Sequence, residues 1–227
     1  MTIRVLAFLE KHRNKNQKTD ITTIGRALMM MGVNPFFSTF KNLPLVEDHL
    51  KAHPQALLGL LKVVGRAHRA AHWAREWAIH RHDLNVEEIT IATVLHEVTE
   101  ILMWCFAPRL AMKVRDLQVN DRKRRSSTAQ EEVYGIVLEE LKRGLIQAWH
   151  LPQLLADLMD HGNPDQPPQP RILNVTLAID LARHSAKGWE DPALPDDLRA
   201  VENLLHVSHK QMLERLGLDA PETAQAR

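Results

Sequence analysis

Residues 89–106 form the most apolar stretch of the chain, yet they carry His96, Glu97 and Glu100. Ile89, Ile91, Ala92, Val94, Leu95, Val98, Ile101 and Leu102 would cover most of the circumference of a helix. Such a helix has almost no solvent face and belongs at the centre of a domain. Three ionisable groups make a bilayer span costly. In a protein core the same groups need partners. Asn85 and Glu88 have capping-box spacing, so a helix is predicted over Val86–Phe106, with Pro108 bending or restarting it.

The sequence around this element is also helical in character. Gly is scarce (9 in 227 residues), Tyr and Phe total six, and no period-two alternation or repeat is visible. The length fits one large domain or two small ones, and the fold class expected is all-α. Helices are predicted over Ile3–Glu10, over Ile24–Met31 capped by Thr22 or Thr23 and stopped by Gly32, and from Pro54 to about His80. Further helices are expected over Glu131–Trp149 with a cap at Thr128, from Pro152 to near Asp160, over Arg171–His184, and from Pro195 through Leu205. Met29, Met30 and Met31 read as adaptable core filler rather than a binding stripe. Trp73 and Trp77 share a helix face as core or interface anchors. The run Arg122–Arg125 reads as a solvated loop rather than a phosphate-binding patch. Residues 161–170, with four prolines, are expected to be an irregular loop, and the tail after Leu218 disordered.

A net charge of +1 gives no global field to recruit nucleic acid or a membrane. The single cysteine, Cys105, excludes a disulfide within one chain and suits a reducing compartment. The first residues lack the long apolar core of a signal peptide, so a soluble cytoplasmic protein is expected.

The candidate chemistry is sparse. His96-Glu97, buried in the central helix, is either a metal ligand with a carboxylate or a hydrogen-bonded core histidine. A zinc-protease motif would need a second histidine four residues after His96, and Glu100 stands there. His68 and His72 share a helix face that Glu76 continues, which fits a wet face better than a metal site. His82-Asp83 lies in a turn outside any buried helix. No glycine-rich phosphate loop and no nucleophile-elbow motif is present.

Several segments, taken in order, resemble the HDOD family, a branch of the HD superfamily. Ala70-Ala71, Ala74, Trp77-Ala78 followed by Ile91-Ala92-Thr93-Val94-Leu95-His96-Glu97 is similar to that superfamily's central helix pair. Thr23-Ile24 with Ala27-Leu28 and Met31-Gly32 resembles an upstream HDOD segment. Glu131–Gly135, Trp149-His150-Leu151-Pro152, Asn174-Val175, Ala182-Arg183-His184, Gly188-Trp189 and Pro195–Leu198 resemble downstream ones. The resemblance spans about residues 20–206, between an N-terminal helix with its connection (1–19) and a C-terminal helix and tail (207–227). It implies a single HD-like helical domain.

The resemblance places the superfamily's His-Asp doublet on His96 and Glu97, its first histidine on Arg66, and its last aspartate on Asp180. Arginine repels a cation rather than binding one. The implied function is a non-catalytic bacterial signal-transduction output or scaffold domain with no cofactor, whose partners are other signalling proteins. Nucleic acid and membrane are not expected as partners, and a homodimer stays open. The alternative is a metal-dependent phosphohydrolase with an altered ligand set, in which His96, Glu97, Asp180 and either His68 or His72 hold Fe, Mn or Zn, and Arg66 binds substrate phosphate.

Overall fold

The computed structural model describes residues 1–12, 20–121, 124–160 and 169–218. These residues form fourteen helices and no strand; an isolated bridge joins Ala186 and Gly188. In chain order, α1 (Thr2–Lys11), α2 (Ile24–Met31) and α3 (Val33–Thr39) make an N-terminal lobe, and α4 (Val46–His49) leads into α5 (Pro54–His80). A helical hairpin follows with α6 (Val86–His96), continued by α7 (Val98–Phe106), α8 (Pro108–Asn120) and α9 (Ser126–Tyr134). The chain ends with α10 (Leu138–Ala148), α11 (Gln153–Met159), α12 (Pro170–His184), α13 (Leu194–Leu205) and α14 (His209–Arg215).

The centre is the packing of α5, α6 and α12. Small residues make it tight: Ala70, Ala74 and Ala78 on α5, Ala92 on α6, and Ala178 and Ala182 on α12 are all buried. Trp77, Ile89, Leu155, Ile179, Leu181 and Met212 fill the remaining volume. A second core lies where the first turns of α5 meet α7 and α8, around Leu60, Val63, Trp104 and Ala111. There the Trp104 indole lies against the bare backbone of Gly59, and a Cβ at that position would fall inside the ring. A third, smaller core (Val5, Leu9, Ala27, Phe36 and Phe40) holds the N-terminal lobe together.

Most predicted elements are present, with five differences. The apolar helix over 86–106 is interrupted at Glu97 (φ −86°, ψ 6°), dividing α6 from α7. It has the length and composition of a membrane span, but half of it is buried inside this domain. Asn85 makes no side-chain cap, because Glu88 turns instead to Thr22 (2.9 Å) and Arg26 (3.2 Å) in the N-terminal lobe. The helix expected over Glu131–Trp149 is two helices. Gly135 takes the left-handed conformation (φ 72°) and ends α9, and the Gln130 side chain accepts a hydrogen bond from the Leu138 amide at the start of α10. Thr128 therefore lies inside α9 rather than capping a helix. Met29 and Met30 are exposed, which corrects their reading as core filler; Met31 alone packs against the lobe core. Arg122 and Lys123 of the basic run, most of the proline-rich loop and the tail after Leu218 lie outside the described residues. Arg124 pairs with Glu132 at 2.7 Å.

Candidate functional site

His96 and Glu97 end α6 where three helices converge on it. Adjacent helical positions project about 100° apart, so the two side chains reach different neighbours. Glu97, 2% exposed, lies between two arginines. Arg66 of α5 donates to its Oε2 at 2.5 Å. Arg183, from the last turn of α12, donates to Oε1 through Nη2 at 2.7 Å and through Nε at 3.1 Å. Arg66 also donates to Glu100 Oε2 (2.7 Å), one turn further along α7. Both carboxylate oxygens of Glu97 are thus occupied by guanidinium N–H groups, the charge-assisted geometry that arginine makes best.

On the other side, Lys142 of α10 brings its ammonium to 2.8 Å from His96 Nε2 and 2.8 Å from Glu139 Oε2. Lys142 is 1% exposed, rare for a lysine. A charged lysine can only donate, so in this contact with the Lys142 ammonium Nε2 of His96 is the acceptor. Glu139, Lys142, His96, Glu97, Arg66, Glu100 and Arg183 form one cluster across α5, α6, α7, α10 and α12, with three cations and three carboxylates.

Burial and charge work against each other in this cluster. Burial alone would raise the Glu97 carboxyl, but Arg183 and Arg66 outweigh it and hold the group at about 2, below its ordinary 4.5. Burial pulls Arg66 down, yet Glu100 and Glu97 more than restore it and its charge is locked. For Lys142 burial wins over the help from Glu139, and its ammonium is held less firmly than in water.

The other sequence candidates lie elsewhere. His68 and His72 are on the exposed face of α5, while His96 is buried. Asp180 is half-buried on α12, one turn before Arg183. Among the described residues no group of three or more His, Cys, Asp or Glu side chains is placed to hold a metal ion. Asp83, of the His82-Asp83 pair, accepts from Arg171 (2.9 Å) and from the Asn85 amide (2.9 Å), holding the turn after α5. Cys105 is a free thiol, and burial raises its pKa.

Sequence reasoning missed Lys142, and it cited Arg183 only as part of a motif. Glu139 and Lys142 at i,i+3 read as an ordinary surface pair. Arg183 carried one signal, its place with His184 as a basic residue in the last turn of its helix.

A family model described as HDOD domain matches residues 15–164. Two solved structures share the fold. One is an HDOD domain protein of unknown function from Geobacter sulfurreducens, 17% identical, with a TM-score of 0.55; the match covers 95% of this chain and 77% of that one. The other, from Shewanella amazonensis SB2B, is provisionally named a phosphohydrolase; it is 15% identical with a TM-score of 0.54, covering 94% of this chain and 88% of that one. No protein of curated function matches.

Proposed function

The chain belongs to the HDOD domain family, and from that premise we propose that it is a non-catalytic interaction module of bacterial signal transduction. The observation that carries this reading is the pairing of Glu97. Both of its oxygens are taken by Arg66 and Arg183, and the neighbouring His96 Nε2 faces the Lys142 ammonium. A divalent ion bound here would have to displace fixed positive charges from a buried carboxylate. Metal-assisted hydrolysis needs several ligands to hold the ion and acidify its water. This pocket offers cations in their place.

A second reading, a metal-dependent phosphohydrolase, is favoured by the name of the Shewanella neighbour. It needs His96, Glu97, Asp180 and one of His68 or His72 to converge, with Arg66 turned to a substrate phosphate. The exposure of His68 and His72 on α5 weighs against it. On the interaction reading the inputs and outputs are other cytoplasmic signalling proteins, met through the outer faces of the helices. The test is an assay of phosphodiester hydrolysis with Mn²⁺, Fe²⁺ or Zn²⁺ supplied in turn. The expected result is no turnover above that of the Glu97→Gln protein. Metal-dependent turnover abolished by that substitution would favour the second reading.

A further inference from the structure

The lobe formed by α1, α2 and α3 has a core of its own. Val5, Leu9, Ala27, Phe36 and Phe40 pack together, separate from the two cores of the helical body. Among the described residues no helix of the lobe packs along a helix of the body. Leu6 reaches across into the main core, and Ile3 packs against the same core. One stretch, residues 41–45, joins the lobe to α4. In it Lys41, Asn42, Pro44 and Leu45 are exposed, and Asn42 has a left-handed backbone (φ 57°). Hinges are built from a few loop positions of this kind.

Beyond Leu6 and Ile3, the contacts across the seam are polar. Glu88, in the first turn of α6, accepts from the Thr22 hydroxyl at 2.9 Å and pairs with Arg26 at 3.2 Å. Thr22 and Glu88 are each 2% exposed. A Cβ at Gly25 would stand 3.7 Å from the neighbouring Glu87 carboxylate. The first turn of α2, capped by Thr23, therefore meets two carboxylates, an arrangement its partial positive charge favours. Polar seams between separately cored units permit relative motion, because water can take over the same hydrogen bonds. Release would not strand Glu88, since it also lies in the first turn of its own helix, α6.

We propose that α1, α2 and α3 swing from the body as one folded unit about residues 41–45, with Glu88, Thr22 and Arg26 as the latch that holds the unit shut. Opening withdraws Leu6 from the main core and passes the Glu88 carboxylate from Thr22 and Arg26 to water. The latch stands at the start of α6, the helix that ends at His96. Whatever holds the lobe open or shut thereby acts on the element that positions the Glu97 cluster. The proposal goes beyond the interaction reading and does not depend on it.

The test is a spin-label distance measurement on the full chain, with nitroxides at Met30→Cys on α2 and Arg199→Cys on α13, both exposed positions, in a Cys105→Ser background. The latched chain should show one dominant distance. Glu88→Ala should raise a second, altered distance by about tenfold, the loss expected for a hydrogen bond to a charged group. Arg26→Ala, which leaves Thr22 on Glu88, should raise it by about threefold. Far-UV circular dichroism of both variants should match the parent, because the lobe moves without melting. Arg26 is half-exposed, so its variant gives an answer even if Glu88→Ala folds poorly. The idea is overturned if both variants keep the single parent distance. It is equally overturned if the second distance appears only with a loss of helical signal, since the lobe would then unfold rather than swing.

Discussion

Glu97 shows how one residue can set the character of a pocket. A buried carboxylate is tolerated only with its charge matched, and here two arginines match it. Removing both partners, as in Arg66→Met/Arg183→Met, should cost about 3–5 kcal/mol in urea denaturation, because it strands a buried charge. Adding Glu97→Met to that pair should recover most of the loss, since an apolar trio of similar volume has no charge to strand. The pH dependence has a definite sign. The folded protein holds the Glu97 carboxyl near 2 against an ordinary 4.5, so the stability it contributes is fully present above about pH 4.5 and is lost as pH falls from there towards 2. Urea midpoints of the wild-type chain should therefore fall across that window more steeply than those of Glu97→Gln.

At the scale of the element, glycine and proline positions carried much of the predictive information. Pro54 at the start of α5, Pro108 at the start of α8, Pro170 at the start of α12 and Gly32 after α2 each mark a boundary that the sequence already indicates. Gly59 carried none, because its role is tertiary: the Trp104 indole occupies the space of a side chain. Gly59→Ala should cost about 1–3 kcal/mol by overpacking. Trp104→Leu should relieve it, so the double variant should be more stable than the sum of the two single losses predicts. The break at Glu97 was also hidden, since a buried helix and a broken buried helix have the same apolar pattern. Glu88 misled for a related reason. Its spacing from Asn85 satisfies a local rule, while its partners Thr22 and Arg26 are over sixty residues away.

For the whole molecule, the all-helical class and the central place of the 86–106 segment were legible, because an element apolar on nearly every side can only be interior. The order of family-like segments pointed to the HDOD fold, and alignment of the small residues placed the superfamily's first histidine on Arg66, without indicating its pairing with Glu97. The structure brings Arg66 and Glu97 together at 2.5 Å. What could not be read was the other half of the cluster. Lys142 and Arg183 come from helices 46 and 86 residues away from their partners, and one-dimensional spacing says nothing about such pairings. The exposed Met29–Met30 corner escaped notice because methionine in an amphipathic helix usually faces inward.

The assignment of this pocket to a non-catalytic role turns on whether its cations leave room for an ion. Elemental analysis of the chain, purified without chelators and without added metal, measures that directly. The account predicts only traces of iron, manganese and zinc, at levels unchanged by His96→Ala or Glu97→Gln. A stoichiometric transition metal that disappears in either variant would contradict it.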